Sequence, residues 1–225
     1  MPTTGWKPDL MALAREERTD LATFLATLTP DQWLAPSLCP GWTVRDVVAH
    51  MISYDALTTP ALVWRFVRGG LSVNRINSLG VERSARFSTG EILAQLNAHL
   101  TPSGLAAGFK GGIGLVDGLI HHQDIRRPLG LARTVPADRL APALDFALTA
   151  PTLRGRRLTK GLQLIATDLD WHRDTGPEVR GSGEALLMAI AGRSGITSEL
   201  TGPGVPQLTR RIAGLTGGTG STGGS

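Results

Sequence analysis

Cys39-Pro40-Gly41-Trp42-Thr43-Val44-Arg45-Asp46-Val47-Val48-Ala49-His50 decides the reading of this chain, together with Asp117-Gly118-Leu119-Ile120-His121 and Asp124-Ile125-Arg126-Arg127-Pro128-Leu129-Gly130. Thr43 followed three places later by Asp46 is a capping-box pattern, which ties up free N–H groups at a helix start. Val44, Val47, Val48 and Met51 form the buried stripe of that helix, and His50 falls on its flank. Asp117 and His121 stand four apart, so on a helix they project from one face, about one turn from each other. With His50 as a third donor, two imidazoles and one carboxylate suit a divalent metal with an open coordination position.

Outward from these stretches the pattern is helical. Leu10, Leu13, Ala14, Leu21, Phe24, Leu25 and Leu28 recur at helical spacing, closed by Thr29-Pro30, and a proline-rich loop is expected from Trp33 to Trp42. Further helices are expected over Ala56–Val67 and after Ser88, where Glu91 completes a second capping box. The helix bearing Asp117 is expected to start near Ile113, after a glycine-rich approach, and to end before Pro128. Pro136 leads another helix through Leu140, Leu144 and Leu148.

The texture then changes. Gly161–Asp168 and Glu178–Arg180 read as strands flanking a turn at Asp174–Pro177, followed by helices over Glu184–Ala191 and Val205–Ile212. Strands after a run of helices suggest a second, smaller α/β unit. The expected division is a helical domain over residues 1–150, an α/β domain over 151–214 and a flexible Gly/Ser/Thr tail over 215–225.

Composition narrows the function classes. The 225 residues suffice for a sizeable core, and no apolar run approaches the roughly 18 residues that span a bilayer. The first residues lack the charged head and apolar middle of a secretion signal, and Cys39 is the single cysteine. A cytoplasmic protein without a membrane partner is therefore expected. The formal charge of +4 and pI near 10.0 raise the question of nucleic acid. The arginines are scattered, however, and the one dense group, Arg154, Arg156, Arg157 and Lys160, has no interleaved aromatics. A solvated face or a grip on a small anion fits better than nucleic acid.

Each candidate also has a plainer reading. His122 is rotated about 100° from His121 and is expected at the surface. Asp124 either accepts a hydrogen bond from a ligand imidazole or pairs with Arg126 or Arg127 at the helix end. Cys39 has no activating partner evident in sequence and reads as a packing residue. Arg193 either binds a carboxylate bidentately or is structural.

Trp33, Pro36-Ser37-Leu38 with Cys39–His50, and His121–Gly130 resemble the mycothiol-dependent maleylpyruvate isomerase family of actinobacteria, part of the DinB-like metalloprotein group. Ala166–Trp171, Gly176–Gly181 and Ala191-Gly192-Arg193 are similar too. The resemblance implies an α+β fold, a DinB-like four-helix bundle followed by a small C-terminal α/β domain. It implies a divalent metal, usually zinc, held here by His50, Asp117 and His121, with Asp117 standing where the family usually has glutamate. It also implies an enzyme that uses mycothiol as thiol cosubstrate, an isomerase or S-transferase acting on a small electrophile. Arg193 is the side chain named for substrate or cofactor carboxylates, and Asp124 the outer partner of a ligand. The alternative is a non-catalytic, metal-containing protein that binds a small ligand or partner.

Overall fold

The computed structural model describes residues 8–55, 73–150 and 153–216. The helix expected over Ala56–Val67 and residues 217–225 of the expected tail lie outside the described residues. Contacts divide the chain into two compact units, residues 1–134 and 135–225.

The first unit is helical. Its helices are α1 (Leu10–Leu25), α2 (Pro30–Leu34), α3 (Val44–Ile52), α4 (Val73–Ser84), α5 (Thr89–Ala98) and α6 (Gly112–Arg126), with a 3-10 turn over Gly104–Ala107. Asp9 caps α1, its carboxylate accepting from the N–H groups of Met11 and Ala12 at 3.1 and 3.2 Å. Both expected capping boxes form. Asp46 Oδ2 accepts the Thr43 N–H at 3.0 Å while Thr43 Oγ1 accepts that of Asp46 at 3.3 Å, and Ser88 with Glu91 repeats the exchange. A third box, Thr29 with Gln32, starts α2 with Pro30 in its first turn. The helical signal there is five residues long, too short for a periodicity to register.

Helices α1, α3, α5 and α6 pack as a four-helix bundle. Leu21, Leu25, Val47, Val48, Met51, Ile92, Leu96 and Ile125 fill its core. Helix α4 lies along α3, and Arg45 clamps its end by donating to the carbonyls of Ser84, Ala85 and Phe87 at 2.7, 3.2 and 2.6 Å. The α1–α6 seam is built on glycine. A Cβ at Gly111, where φ is +91°, would stand 2.6 Å from Met11 Cα, and one at Gly118 would stand 3.1 Å from Glu17 Cγ. At Gly111 main chain therefore meets main chain, and at Gly118 the missing side chain makes room for Glu17.

One ion pair lies wholly inside this unit. Arg18 NH1 donates to both oxygens of Asp55 at 3.0 and 2.9 Å and to the His99 carbonyl at 2.7 Å.

The second unit holds α7 (Ala137–Thr149), α8 (Gly155–Thr159), α9 (Gly183–Ile190), α10 (Val205–Thr216) and a small sheet of β1 (Gln163–Ala166), β2 (His172–Arg173) and β3 (Glu178–Gly181). Helix α7 packs its Leu140/Ala143/Leu144/Ala147 stripe within this unit, against α8 and α9, and the contact division falls before it. Helix α10 continues to Thr216, into the segment expected as tail. The sheet order is β2-β1-β3, with β1 antiparallel to β2 and parallel to β3. The two expected strands thus pair in parallel, and the chain between them makes room for β2 on the opposite edge. The return depends on Gly176, at φ +137°, where a Cβ would collide with the Gly161 carbonyl. The described residues are helix-rich with one small sheet, an α+β fold. No helix among them is long and apolar enough to cross a membrane.

Candidate metal centre

The candidate ligands and their partners all belong to the first unit; only Arg193 does not. Helix α3 carries His50 in its last turn, and the ring is 5% exposed. Trp42 and Tyr54 flank it with ring centroids at 5.1 and 5.6 Å, and His121 stands edge-on at 5.0 Å. Helix α6 carries both Asp117 and His121 on the face toward His50. The Asp117 Oδ1 lies 3.4 Å from His121 Nε2 and 4.0 Å from His50 Nε2. One donor atom from each of the three lies within 4.8 Å of the other two. Around a tetrahedral zinc with bonds of about 2.0–2.1 Å, ligand atoms stand roughly 3.3–3.4 Å apart. The donor set and its spacing fit a divalent cation, and three donors leave a tetrahedral ion one position short among the described residues.

The far side of His121 is equally organised. Asp124, fully buried, accepts from His121 Nδ1 at 2.8 Å, which leaves Nε2 directed at Asp117 and His50. Asp124 thus makes the contact of an outer partner to the imidazole, one of its two readings from sequence. The same Oδ2 accepts the Cys39 S–H at 3.2 Å, and Cys39 Sγ is 3.8 Å from His121 Nδ1. Leu38 N–H donates to the Asp124 carbonyl at 2.9 Å, so the Cys39 loop is tied to α6 twice. Cys39, His121 and Asp124 also cluster closely enough to be weighed as ligands. The 2.8 Å between His121 Nδ1 and Asp124 is a hydrogen-bond length, shorter than the spacing of two ligands on one ion, so this trio reads as a relay.

The charges agree with the geometry. Burial opposes ionisation of Asp117, but His121, His50 and Arg18 hold its carboxyl below the usual range. Burial likewise opposes charge on His121, yet Asp117, with hydrogen bonds to Asp117, Asp124 and Cys39, raises its pKa well above the ordinary imidazole value. The pocket between the two carboxylates favours positive charge.

His122 is a correction. It is fully buried, not at the surface, and its Nδ1 lies 2.8 Å from Glu17 Oε1 while Arg126 Nε donates to its Nε2 at 2.8 Å. Arg133 also pairs with Glu17, and the Arg126 guanidinium stacks 3.7 Å over Phe24. Cys39 packs against the core of the first unit, as expected, and its S–H finds an acceptor in Asp124 that the sequence does not reveal. Arg193 lies in the second unit, half-buried on the turn after α9, with NH1 3.4 Å from the Ala191 carbonyl.

Known proteins share features with this chain. Two solved structures are similar, one of the mycothiol-dependent maleylpyruvate isomerase and one of a histidine-to-alanine variant of it. Each is 14% identical, covering 86% of this chain and 91% of the other at a TM-score of 0.48. No protein with a curated description matches. The family described as "Mycothiol maleylpyruvate isomerase N-terminal domain" matches residues 14–150, more than half of the chain and every residue of the candidate centre. This chain belongs to that family.

Proposed function

We propose that this protein is a metal-dependent enzyme that uses a low-molecular-weight thiol, mycothiol by family, to isomerise or S-conjugate a small electrophile. The observation that carries the proposal is the convergence of one donor atom each from His50, Asp117 and His121 within 4.8 Å on two helices. Zinc is the ion that best suits two imidazoles and a carboxylate. Held by His50, Asp117 and His121, it would supply the Lewis acidity that favours the thiolate form of the cosubstrate at neutral pH without a protein cysteine.

The chain's own residues do the positioning. Asp124 holds the Nδ1 proton of His121 and so commits Nε2 to the centre. Trp42 and Tyr54 restrict the His50 ring. Asp124 faces the far nitrogen of His121, so it is not placed as a general base for hydrolysis at the open position. The cosubstrate thiol adds across a conjugated C=C bond, its sulfur bonding one carbon while a proton reaches the other terminus of the conjugated system. Rotation about the resulting single bond and elimination of the thiol return an isomer with no net redox change. If elimination does not follow, the product is a thioether.

The test is a panel of activated alkenes and other electrophiles, assayed with and without mycothiol on protein of known metal content. Turnover strictly dependent on the thiol supports the reading. Normal zinc content with no turnover across the panel would make the protein a binding module. Metal retained by His50→Ala would refute the ligand assignment.

A further inference from the structure

Arg154-Gly155-Arg156-Arg157-Leu158-Thr159-Lys160 carries four cations and no acid, and the metal centre makes no use of it. In the second unit this segment has two sides. Gly155, Leu158 and Thr159 are buried, while Arg154, Arg156, Arg157 and Lys160 are exposed. Gly155 permits the arrangement: a Cβ there would stand 2.6 Å from the Ala147 carbonyl and 2.7 Å from Ile190 Cγ2. Helix α8 therefore lies flush on α7 and α9 with its basic side turned outward. Arg211 fixes the end of this segment by donating to the Leu158 and Lys160 carbonyls at 2.7 and 2.8 Å. Among the described residues, none of the four exposed cations is in an ion pair.

These side chains wall a groove of about 1110 Å³. Arg156, Arg157 and Lys160 line it together with His172 and Arg173 of β2, and Asp174 is the single acid of the lining. Arg173 is already paired with Asp145, so the uncompensated charge sits on α8 and Lys160. Like charges held this close repel one another, and a concave wall focuses their field on whatever enters.

We propose that this groove binds a small polyanion, a molecule bearing two or more phosphate or carboxylate groups. Two adjacent guanidinium forks and an ammonium match that chemistry, each fork offering paired donors to one anionic group. The groove has no Phe, Tyr or Trp in its lining on which bases could stack, which disfavours single-stranded nucleic acid. Among the described residues of the second unit no large hydrophobic side chain is exposed beside the basic side to anchor it in a lipid surface. The site is independent of the metal centre and of the thiol chemistry proposed above.

Calorimetric titration of the full chain with pyrophosphate and with tripolyphosphate tests it. Saturable binding with Kd below about 1 mM, tighter for the longer anion, is expected. Arg157→Glu weakens it about tenfold or more. Arg15→Glu, which makes the same change in net charge on the exposed side of α1, leaves it within about twofold. Lys160→Gln serves as a milder second variant, and the melting temperature of each is checked first. Equal loss in Arg157→Glu and Arg15→Glu, or no saturation by about 10 mM, overturns the proposal. So does tighter binding of a single-stranded oligonucleotide or of anionic vesicles at the same ionic strength.

Discussion

Asp124 and His121, three residues apart on α6, are joined by a 2.8 Å hydrogen bond that points the opposite ring nitrogen at Asp117 and His50. The orientation of the His121 imidazole is thereby set by a carboxylate on the side of the ring away from Asp117 and His50. Asp124→Asn should keep the fold but lower zinc affinity by about 10–100-fold, as loss of an outer carboxylate partner does elsewhere. Competition with a chromophoric chelator measures it. Unchanged affinity would mean that His121 is oriented by something else.

Asp117→Asn should abolish stoichiometric zinc binding, because the amide oxygen is a weak donor and carries no charge. Asp117→Glu restores the carboxylate with one more methylene and should bind zinc. Metal analysis of the three proteins after gel filtration distinguishes the cases. Equal zinc in the asparagine variant would remove Asp117 from the ligand set.

Glu17 and His122 make stability depend on acid. Burial opposes ionisation of Glu17, but His122 and Arg133 bring its pKa below the ordinary value of 4.5. Its contribution is present above that value and is lost as pH falls through the folded pKa. Burial pushes His122 from 6.5 down to about 4, and the Arg126 N–H bonded to Nε2 needs the lone pair that protonation would consume. The unfolded chain then binds the proton first, so stability falls as pH drops from 6.5 toward 4. Urea midpoints should decline over this range, His122 alone contributing about 2–3 kcal/mol, and His122→Gln should flatten the curve. A pH-independent midpoint in the parent protein would contradict this.

The pair Arg18–Asp55 should behave as a buried ion pair. Arg18→Met leaves a buried carboxylate without its cation and should cost about 3–5 kcal/mol. Arg18→Met with Asp55→Leu should recover part of that loss, because the unpaired carboxylate is gone and only the His99 carbonyl and the Ser103 N–H lose a partner. Denaturant titration of both proteins gives the comparison. A double variant as unstable as the single one would show that Arg18 holds more than Asp55.

Gly111→Ala should destabilise by about 1–3 kcal/mol, from a residue forced to positive φ and from contact with the α1 backbone. A thermal melt suffices to check it.

Local signals in the sequence proved the most readable. Thr43 with Asp46 and Ser88 with Glu91 form their boxes because everything they need lies within one helical turn. Asp117 and His121 share a face for the same reason, and His50 meets them because its flank of α3 packs on α6. Contacts set by chain path were harder to read. Whether Cys39 reaches Asp124 depends on how its loop closes, and β1 pairs with β3 in parallel because β2 intervenes. The burial of His122 did leave a trace. Leu13, Ala14, Leu21 and Leu25 mark the inner stripe of α1, and Glu17 and Arg18 occupy the positions missing from it. Charged residues in an apolar stripe require buried partners, and His122 and Asp55 are those partners.

The glycine seam between α1 and α6 acts as a spacer of fixed length. Because main chain rests almost on main chain at Gly111, the depth at which Asp117 stands does not depend on how neighbouring apolar side chains are exchanged. Drift can rewrite the rest of the bundle interior while the helix that carries Asp117 keeps its height, and this seam is where such freedom ends.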